Sequence, residues 1–407
     1  MTEINQQGIV PSVCRAEDST PWTAVVCVIL AGIVAALHVG KAPIALAQMQ
    51  SEFARSLESL SWMMSVFPLV GVVGGIVAGV FVQRWGDRRM LGLGLLILAG
   101  ASAAGAMMHD YIWLIGSRVV EGLGFVLVVV AAPALLHRLT PPRRHNLVFG
   151  FWSVFMASGM ALSMLLGPWL GDWRRLWLVD AGLAVLMALL LVTIPAAPHR
   201  RASTAGEVLQ GIRDTLHAGQ PMILALAFGA YALQFFAVLS FLPIFLMQRL
   251  SLGQGPAGTI SAAVVAVNII GNVSAGTLLS RGVRTSLLMV LTSVTTGAAG
   301  VGLFLSATPA WLAVLLAFVV SAAGGLLPPT LLACAPRAVS QPSLAPLSLG
   351  LVMQGNYLGQ VLGPLVVGTI VVAAGWAAAA IPVAIAAALG IALGVLFELQ
   401  QARRAHR

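Results

Sequence analysis

Long apolar runs alternate with short polar gaps along this chain, and the runs have the length of helices that cross a lipid bilayer. A crossing helix needs roughly 20 residues to span about 30 Å of hydrocarbon. Twelve such spans are predicted: Trp22–Ala47, Trp62–Val82, Met90–Met108, Ile112–Leu136, Asn146–Gly171, Leu176–Ile194, Met222–Met247, Ala257–Leu279, Thr285–Ser306, Trp311–Cys334, Leu347–Val372 and Trp376–Phe397. Trp22, Trp62, Trp85, Trp113, Trp173, Trp177, Trp311 and Trp376 fall near span ends, where the indole ring prefers the membrane interface. The longest polar gap, 195–221, separates six spans (22–194) from six (222–397), with short polar segments 1–21 and 398–407 at the two ends. Within the gap, Val208, Leu209, Ile212 and Leu216 share one helical face, which predicts an amphipathic helix on the membrane surface.

Composition agrees with this pattern. Of 407 residues 59% are hydrophobic and 9% charged, against about 25% charged in soluble domains. The chain is therefore expected to be all-α and membrane-integral. The first residues include Glu3, Glu17 and Asp18 and lack the basic start and apolar stretch of a secretion signal, so the first span is expected to be retained. Cys14, Cys27 and Cys334 are too few and scattered for a disulfide framework or a metal cluster, and no metal or cofactor is expected.

Charge sets the orientation. Arg15, Arg84, Arg88, Arg89, Arg138, Arg143, Arg144, Arg200, Arg201, Arg213, Arg281, Arg284, Arg337, Arg403, Arg404 and Arg407 lie on one side, and only Arg55, Arg174, Arg175 and Arg249 on the other. The positive side faces the cytoplasm, so both termini are expected there, in a bacterial-type inner membrane. The net charge of +9 is this topology signal. It is not a nucleic-acid footprint, since no basic patch is interleaved with stacking aromatics.

The two halves echo each other. Gly79-x-x-x-Gln83-Arg84 leaves the second span and Gly276-x-x-x-Ser280-Arg281 the eighth. Gly159 and Gly167-Pro168 in the fifth span have the spacing of Gly355 and Gly363-Pro364 in the eleventh, and Pro43 and Pro243 sit late in the first and seventh. Such internal repeats build transporters in which two bundles rock around a midplane site. Gly79 through Gln83, Arg84, Gly86, Arg88 and Arg89 resembles the loop signature of the major facilitator superfamily. Arg118-Val-Val-Glu121-Gly122-Leu-Gly124 resembles its fourth-span motif, and Gly159 to Gly171 its fifth-span glycine-proline pattern. The loop signature usually carries an acid where Gln83 stands, and Ser163-Met164 replaces the tighter glycine-proline form found in antiporters. The resemblance implies twelve transmembrane helices in two pseudo-symmetric six-helix bundles. It also implies a monomeric carrier of a small-molecule substrate, embedded in lipid, with protons as a coupling ion. No nucleotide-binding, zinc-protease or nucleophile-elbow motif points to an enzyme.

Charges inside the spans are the candidate chemistry. Lys41 is the only lysine, and His38 lies three residues before it on the same helix face. Arg118 and Glu121 repeat that spacing in the fourth span. Helix rise puts His38 and Glu121 near the midplane, with Lys41 and Arg118 one turn closer to the outside. The resemblance implies that these two spans line the central cavity. Facing cations there would receive an anion or carboxylate-bearing zwitterion, Arg118 as a fork and Lys41 as a point charge. Glu121 and His38 are the proton-exchanging candidates. The plainer readings are a structural Arg118–Glu121 pair, a snorkelling Lys41 and a hydrogen-bonded core His38. Tyr231 and Gln234 in the seventh span complete the expected binding wall. Asp180, one turn into the sixth span beside Trp177, reads as a helix-start or interface residue. The small anion is the favoured cargo. Proton-driven export of an amphipathic metabolite, siderophore-like compound or drug is the alternative, with a receptor or channel behind it.

Overall fold

A computed structural model describes residues 20–194, 205–339, 341 and 344–405. The amino-terminal tail with Cys14 and Arg15, and the loop cations Arg200 and Arg201, lie outside these residues. Among the described residues all regular structure is helical. The first four spans are α1 (Trp22–Phe53), α2 (Leu57–Trp85), α3 (Asp87–Ala106) and α4 (Tyr111–Leu139). The fifth is split into α5 (His145–Ser153) and α6 (Phe155–Leu166), and the sixth is α7 (Trp173–Leu191). The polar gap holds α8 (Ala205–His217). The seventh span is α9 (Gln220–Leu239) with α10 (Leu242–Leu250), and the eighth and ninth are α11 (Gln254–Ser280) and α12 (Thr285–Phe304). The tenth is α13 (Ala310–Gly324) with α14 (Leu327–Cys334), followed by α15 (Ala345–Ala374) and α16 (Ala380–Ala405).

Eleven helical segments of the described residues are long and apolar enough to cross a membrane. The sixth span, α7, is the twelfth: Arg174, Arg175 and Asp180 lower its apolar character. Several helices overrun the predicted spans, α1 to Phe53 and α2 from Leu57 to Trp85. A helix does not stop where hydrocarbon stops, because its backbone remains satisfied in the headgroup region.

The repeat is visible in the packing. In the first half α1 lies on α6, α2 on α4, and α3 on α7; in the second α9 lies on α15, α11 on α13, and α12 on α16. The halves meet through α2 on α15 and α6 on α11, two contacts that are images of each other. The matching glycines explain the close approach. A Cβ at Gly159 would lie 2.4 Å from the Ile33 carbonyl oxygen on α1, and one at Gly355 would lie 1.9 Å from the Ala225 carbonyl oxygen on α9. Gly122 packs in the same way against the Phe67 carbonyl on α2.

Proline behaves according to what surrounds it. The tenth span breaks after Gly324, ahead of Pro328 and Pro329. Pro364 does not interrupt α15, nor Pro43 α1, and Gly167-Pro168 ends the fifth span in a turn of 3-10 helix instead of bending it. The seventh span breaks at Ser240–Phe241, ahead of Pro243.

The two halves are bonded at the first end of the molecule, beside an open cleft of about 500 Å³ between α1 and α10, and glycines of α2 and α15 meet open space at the second. At the first end Gln254 Nε2 donates to the Ile44 carbonyl (2.9 Å) and Gln48 Nε2 donates to Gln254 Oε1 (3.0 Å). Gln48 Oε1 also accepts from the Trp173 backbone N–H at 2.8 Å. Further in, Ser65 Oγ donates to the Val361 carbonyl (2.9 Å) and Gln354 Nε2 to the Val72 carbonyl (3.1 Å). Gly71 receives the Tyr357 ring, whereas Gly75, Gly79 and Gly350 meet open space. Of these α2 glycines only Gly71 is covered by a side chain of the other half. Each amide bond is worth about 1 kcal/mol net, so Gln254→Ala is expected to loosen this end. Spin labels at Ser51 and Ser251, in a background without the native cysteines, should then report longer distances; an unchanged distribution would show that the amides do not hold it.

The loop signature has a structural task. Gly86 adopts φ +91°, a conformation that favours glycine, and caps α2 through its N–H to the Val82 carbonyl (3.0 Å). Asp87 then opens α3 and takes a two-pronged bond from Arg138 of α4, at 2.9 Å on each oxygen. Arg88 donates to the Val192 and Ile194 carbonyls just past α7. Arg84 and Arg89 are exposed, and the side chain of Gln83 lies outside the description. In α8, Gly211 rests against Leu347 of α15. Leu216, on its apolar face, is exposed, while the side chains of Val208, Leu209 and Ile212 lie outside the description.

Candidate functional site

Lys41 and Arg118 do not face each other across a central void. They converge on one carboxylate inside the first bundle. Glu121 Oε2 lies 2.5 Å from Arg118 Nη1, 3.0 Å from Lys41 Nζ and 3.3 Å from His38 Nδ1, and its Oε1 accepts from Lys41 at 3.2 Å. Helix geometry produces this: His38 and Lys41 are one turn apart on α1, Arg118 and Glu121 one turn apart on α4, and the two helices run in opposite directions. Glu121, Lys41 and His38 are 0% exposed and Arg118 is 1% exposed. The snorkelling alternative for Lys41 therefore fails.

Two helices that sequence reasoning left out complete the enclosure. Lys41 Nζ donates to Ser102 Oγ of α3 at 2.7 Å, and Ser102 Oγ donates in turn to the Trp177 carbonyl of α7, also at 2.7 Å. The ammonium also lies 4.4 Å from the centre of the Trp177 ring. The Arg118 guanidinium stands 4.4 Å over Phe67, and its Nε donates to the Met63 carbonyl at 3.1 Å. Trp177 and Trp173 are thus core residues, which corrects the interface role expected of them. Interface indoles need a wet side; these two are packed against Lys41, Phe53 and each other.

Asp180 is a second correction. It is 2% exposed, one turn beyond Trp177, and interacts electrostatically with Lys41, Arg118 and Glu121. Its place follows from depth: seven residues after Trp173, it lies about 10 Å along the helix. The signal was available, since Trp177 and Asp180 repeat the three-residue spacing of the other two pairs. With both carboxylates ionised, two cations and two anions balance. This matters because a buried unpaired charge is costly. Among the described residues no group of His, Cys, Asp and Glu converges as a metal site would require.

The crevice between the halves is a different place. It has a volume of about 10 Å³, and its walls carry Val39, Pro43, Met64, Phe67, Pro68, Met160 and Phe236. Its polar groups are Arg118, Ser240 and Gln360. Arg118 is the one member of the ion cluster in that wall; Lys41 turns instead towards α3 and α7. Tyr231 and Gln234 also turn away from it. Gln234 Oε1 accepts from Thr296 of α12 at 2.8 Å, and Tyr231 pairs with Asn268 of α11 and packs on Gly324. Both serve packing within the second bundle. Ser240, at the break between α9 and α10, and Gln360 on α15 take the places expected of them. A polar residue at a helix break is the sequence signal that marks Ser240.

The sequence profile of the Major Facilitator Superfamily matches residues 24–353. Methyl viologen resistance protein SmvA of Salmonella typhimurium is 26% identical over 185 residues, 44% of this chain and 37% of the relative. The tetracenomycin C resistance and export protein of Streptomyces glaucescens is 26% identical over 204 residues, 49% and 38%. The arabinose-proton symporter of Escherichia coli is 25% identical over 224 residues, 53% and 48%. These matches span less than half the length of each curated relative. The crystal structure of a D-xylose-proton symporter superposes with a TM-score of 0.76 at 16% identity, covering 93% of this chain and 97% of that one. A bacterial homologue of the lysosomal transporter Spinster, inward-facing and occupied, gives 0.75 at 15% identity, covering 93% and 96%. Helix order, paired half-to-half contacts and the profile match agree: the chain belongs to the Major Facilitator Superfamily and is an integral membrane protein.

Proposed function

We propose that this chain exports an amphipathic organic solute across a bacterial-type inner membrane, by alternating access and in exchange for protons. The observation that carries this reading is the crevice wall. Its Met, Phe, Pro and Val side chains suit a largely apolar, aromatic body, while Arg118, Ser240 and Gln360 supply a few orienting groups. The small-anion reading drew its strength from two unmatched facing cations. Glu121 and Asp180 match them, and Lys41 is outside the wall, so a small ion has no paired cationic receptor there. Two of the curated relatives are named for resistance, one of them also for export, which supports the outward direction.

The positive-inside rule places the second end, with Arg84 and Arg281, in the cytoplasm and the end held by Gln48 and Gln254 outside. The bonds at Gln48 and Gln254 and the open glycine faces at the other end support a state that opens inwards. At about 10 Å³ the crevice has room for about one water. Solute entry therefore requires the halves to part further, which the open faces of Gly75 and Gly79 permit.

The test is a thermal-shift series on purified protein with ethidium as an aromatic amphipath, sulfate and phosphate as small anions, and arabinose and xylose as sugars. Ethidium is expected to raise the melting temperature of the wild type, and Phe236→Ala to abolish that shift. Stabilisation by sulfate or phosphate but not by ethidium would restore the small-anion reading and sink this one.

A further inference from the structure

We infer that Asp180 is the group that binds and releases the transported proton. The inference rests on the proton-coupled reading above and gives that reading a residue. The sequence singled out Glu121 and His38 for the task; the geometry moves it to α7.

Glu121 is saturated. Its two oxygens take bonds from Arg118 and Lys41 and a contact from His38. A proton added there must displace charge-assisted hydrogen bonds from two cations. His38 Nδ1 lies 3.0 Å from Lys41 Nζ and 3.3 Å from Glu121 Oε2, so whichever ring nitrogen carries the proton, Nδ1 already serves one of these charged neighbours. A second proton on His38 would add a third positive charge to the cluster.

Asp180 differs from Glu121 in its bonding. Its side chain is buried on α7, and Oδ2 has no hydrogen-bond donor within reach. Such an oxygen gains most from a proton of its own, because a buried polar atom without a partner carries the full cost of its lost hydration. Lys41 from α1 and Arg118 and Glu121 from α4 bear on it electrostatically, and Ser102 of α3 ties Lys41 to the turn of α7 preceding Asp180. With Asp180 ionised the cluster is neutral. With Asp180 protonated it holds one positive charge in excess. The reaction is the making and breaking of one O–H bond, with the proton coming from and returning to water. One proton thus alters the electrostatic balance of the joint between α1, α3, α4 and α7, which is the differential interaction a coupled conformational change needs.

Infrared difference spectra of the reconstituted wild-type protein, recorded through a pH titration, test this without a substrate. A protonated-carboxyl carbonyl band is expected to grow as the pH is lowered and to be lost on alkalinisation. It should be absent in Asp180→Asn and return at a shifted frequency in Asp180→Glu. A wild type without the band, or a band that survives in Asp180→Asn, overturns the inference. The second arm is ethidium accumulation in inside-out vesicles driven by an acidic lumen. Asp180→Asn is expected to fall to the level of empty vesicles and Asp180→Glu to regain accumulation; gradient-driven accumulation persisting in Asp180→Asn overturns the assignment. If the wild type accumulates no ethidium, the export reading fails, and the infrared band alone decides whether Asp180 holds a proton.

Discussion

Glu121→Gln is expected to destabilise the protein by about 3–5 kcal/mol, the cost of removing one partner from a buried ion pair. The variant keeps the shape of the side chain but leaves Lys41 and Arg118, both buried, with Asp180 as the remaining anion of the cluster. Asp180 makes none of the direct bonds that Glu121 makes to the two cations, so it cannot replace it. The glutamine oxygen can accept from one cation; its amide group then points a donor at the other. Lys41→Met should cost much less, since Arg118 keeps its 2.5 Å bond to Glu121 and a methionine fills the lysine stem's volume. Thermal unfolding of both purified variants in the same detergent checks the ordering. A Glu121→Gln protein that melts with the wild type would mean that the cations are not held by this carboxylate. On sequence grounds Glu121→Gln would be expected to change pH dependence while sparing exchange; the three-way grip makes it first a stability variant.

Gly355→Ala is expected to be the most damaging single-methyl change in the second half. The added carbon would stand 1.9 Å from the Ala225 carbonyl oxygen, and backbone cannot rotate out of the way as a side chain can. The helices α9 and α15 must move apart, which opens voids along their shared face. Overpacking typically costs about 1–3 kcal/mol, and a backbone obstacle puts this case at or above the top of that range. Gly159→Ala, its repeat partner, meets the Ile33 carbonyl at 2.4 Å and should follow it. Gly75→Ala meets nothing within 4 Å and should leave folding intact or improve it, since alanine favours helix over glycine by about 1 kcal/mol. Membrane yield and melting temperature of the three variants separate them. Equal behaviour of Gly355→Ala and Gly75→Ala would show that the close approach of α9 and α15 is not required.

Much of the architecture was legible because lipid leaves a chain so few choices. Backbone groups in hydrocarbon must be bonded within the segment, so long apolar runs read directly as helices, and charges gather at their ends. The repeat was legible too, because glycine is the residue that lets two backbones approach, and its spacing recurs at 159/167 and 355/363. The levels reckoned from helix rise placed His38 beside Glu121, and the two atoms lie 3.3 Å apart. What could not be read was rotation. Whether Lys41 points to the crevice or to α3 and α7 depends on the turn of α1 about its own axis, and a hydrophobic pattern that is apolar on all sides does not report it. Trp173 and Trp177 failed for a related reason: position near a span end says nothing of whether another helix covers that end.

Residue order alone thus settles the number of crossings, their all-helical character and the pairing of two similar halves. Those properties follow from local transfer energies, residue by residue. Assembly alone decides that Ser102, Trp177 and Asp180 enclose the ion cluster, that Tyr231 and Gln234 pack within a bundle, and that Ser240 and Gln360 reach the crevice. Such placements depend on which helix faces which, and a buried charge takes its partner from whatever neighbour the packing brings within about 3 Å.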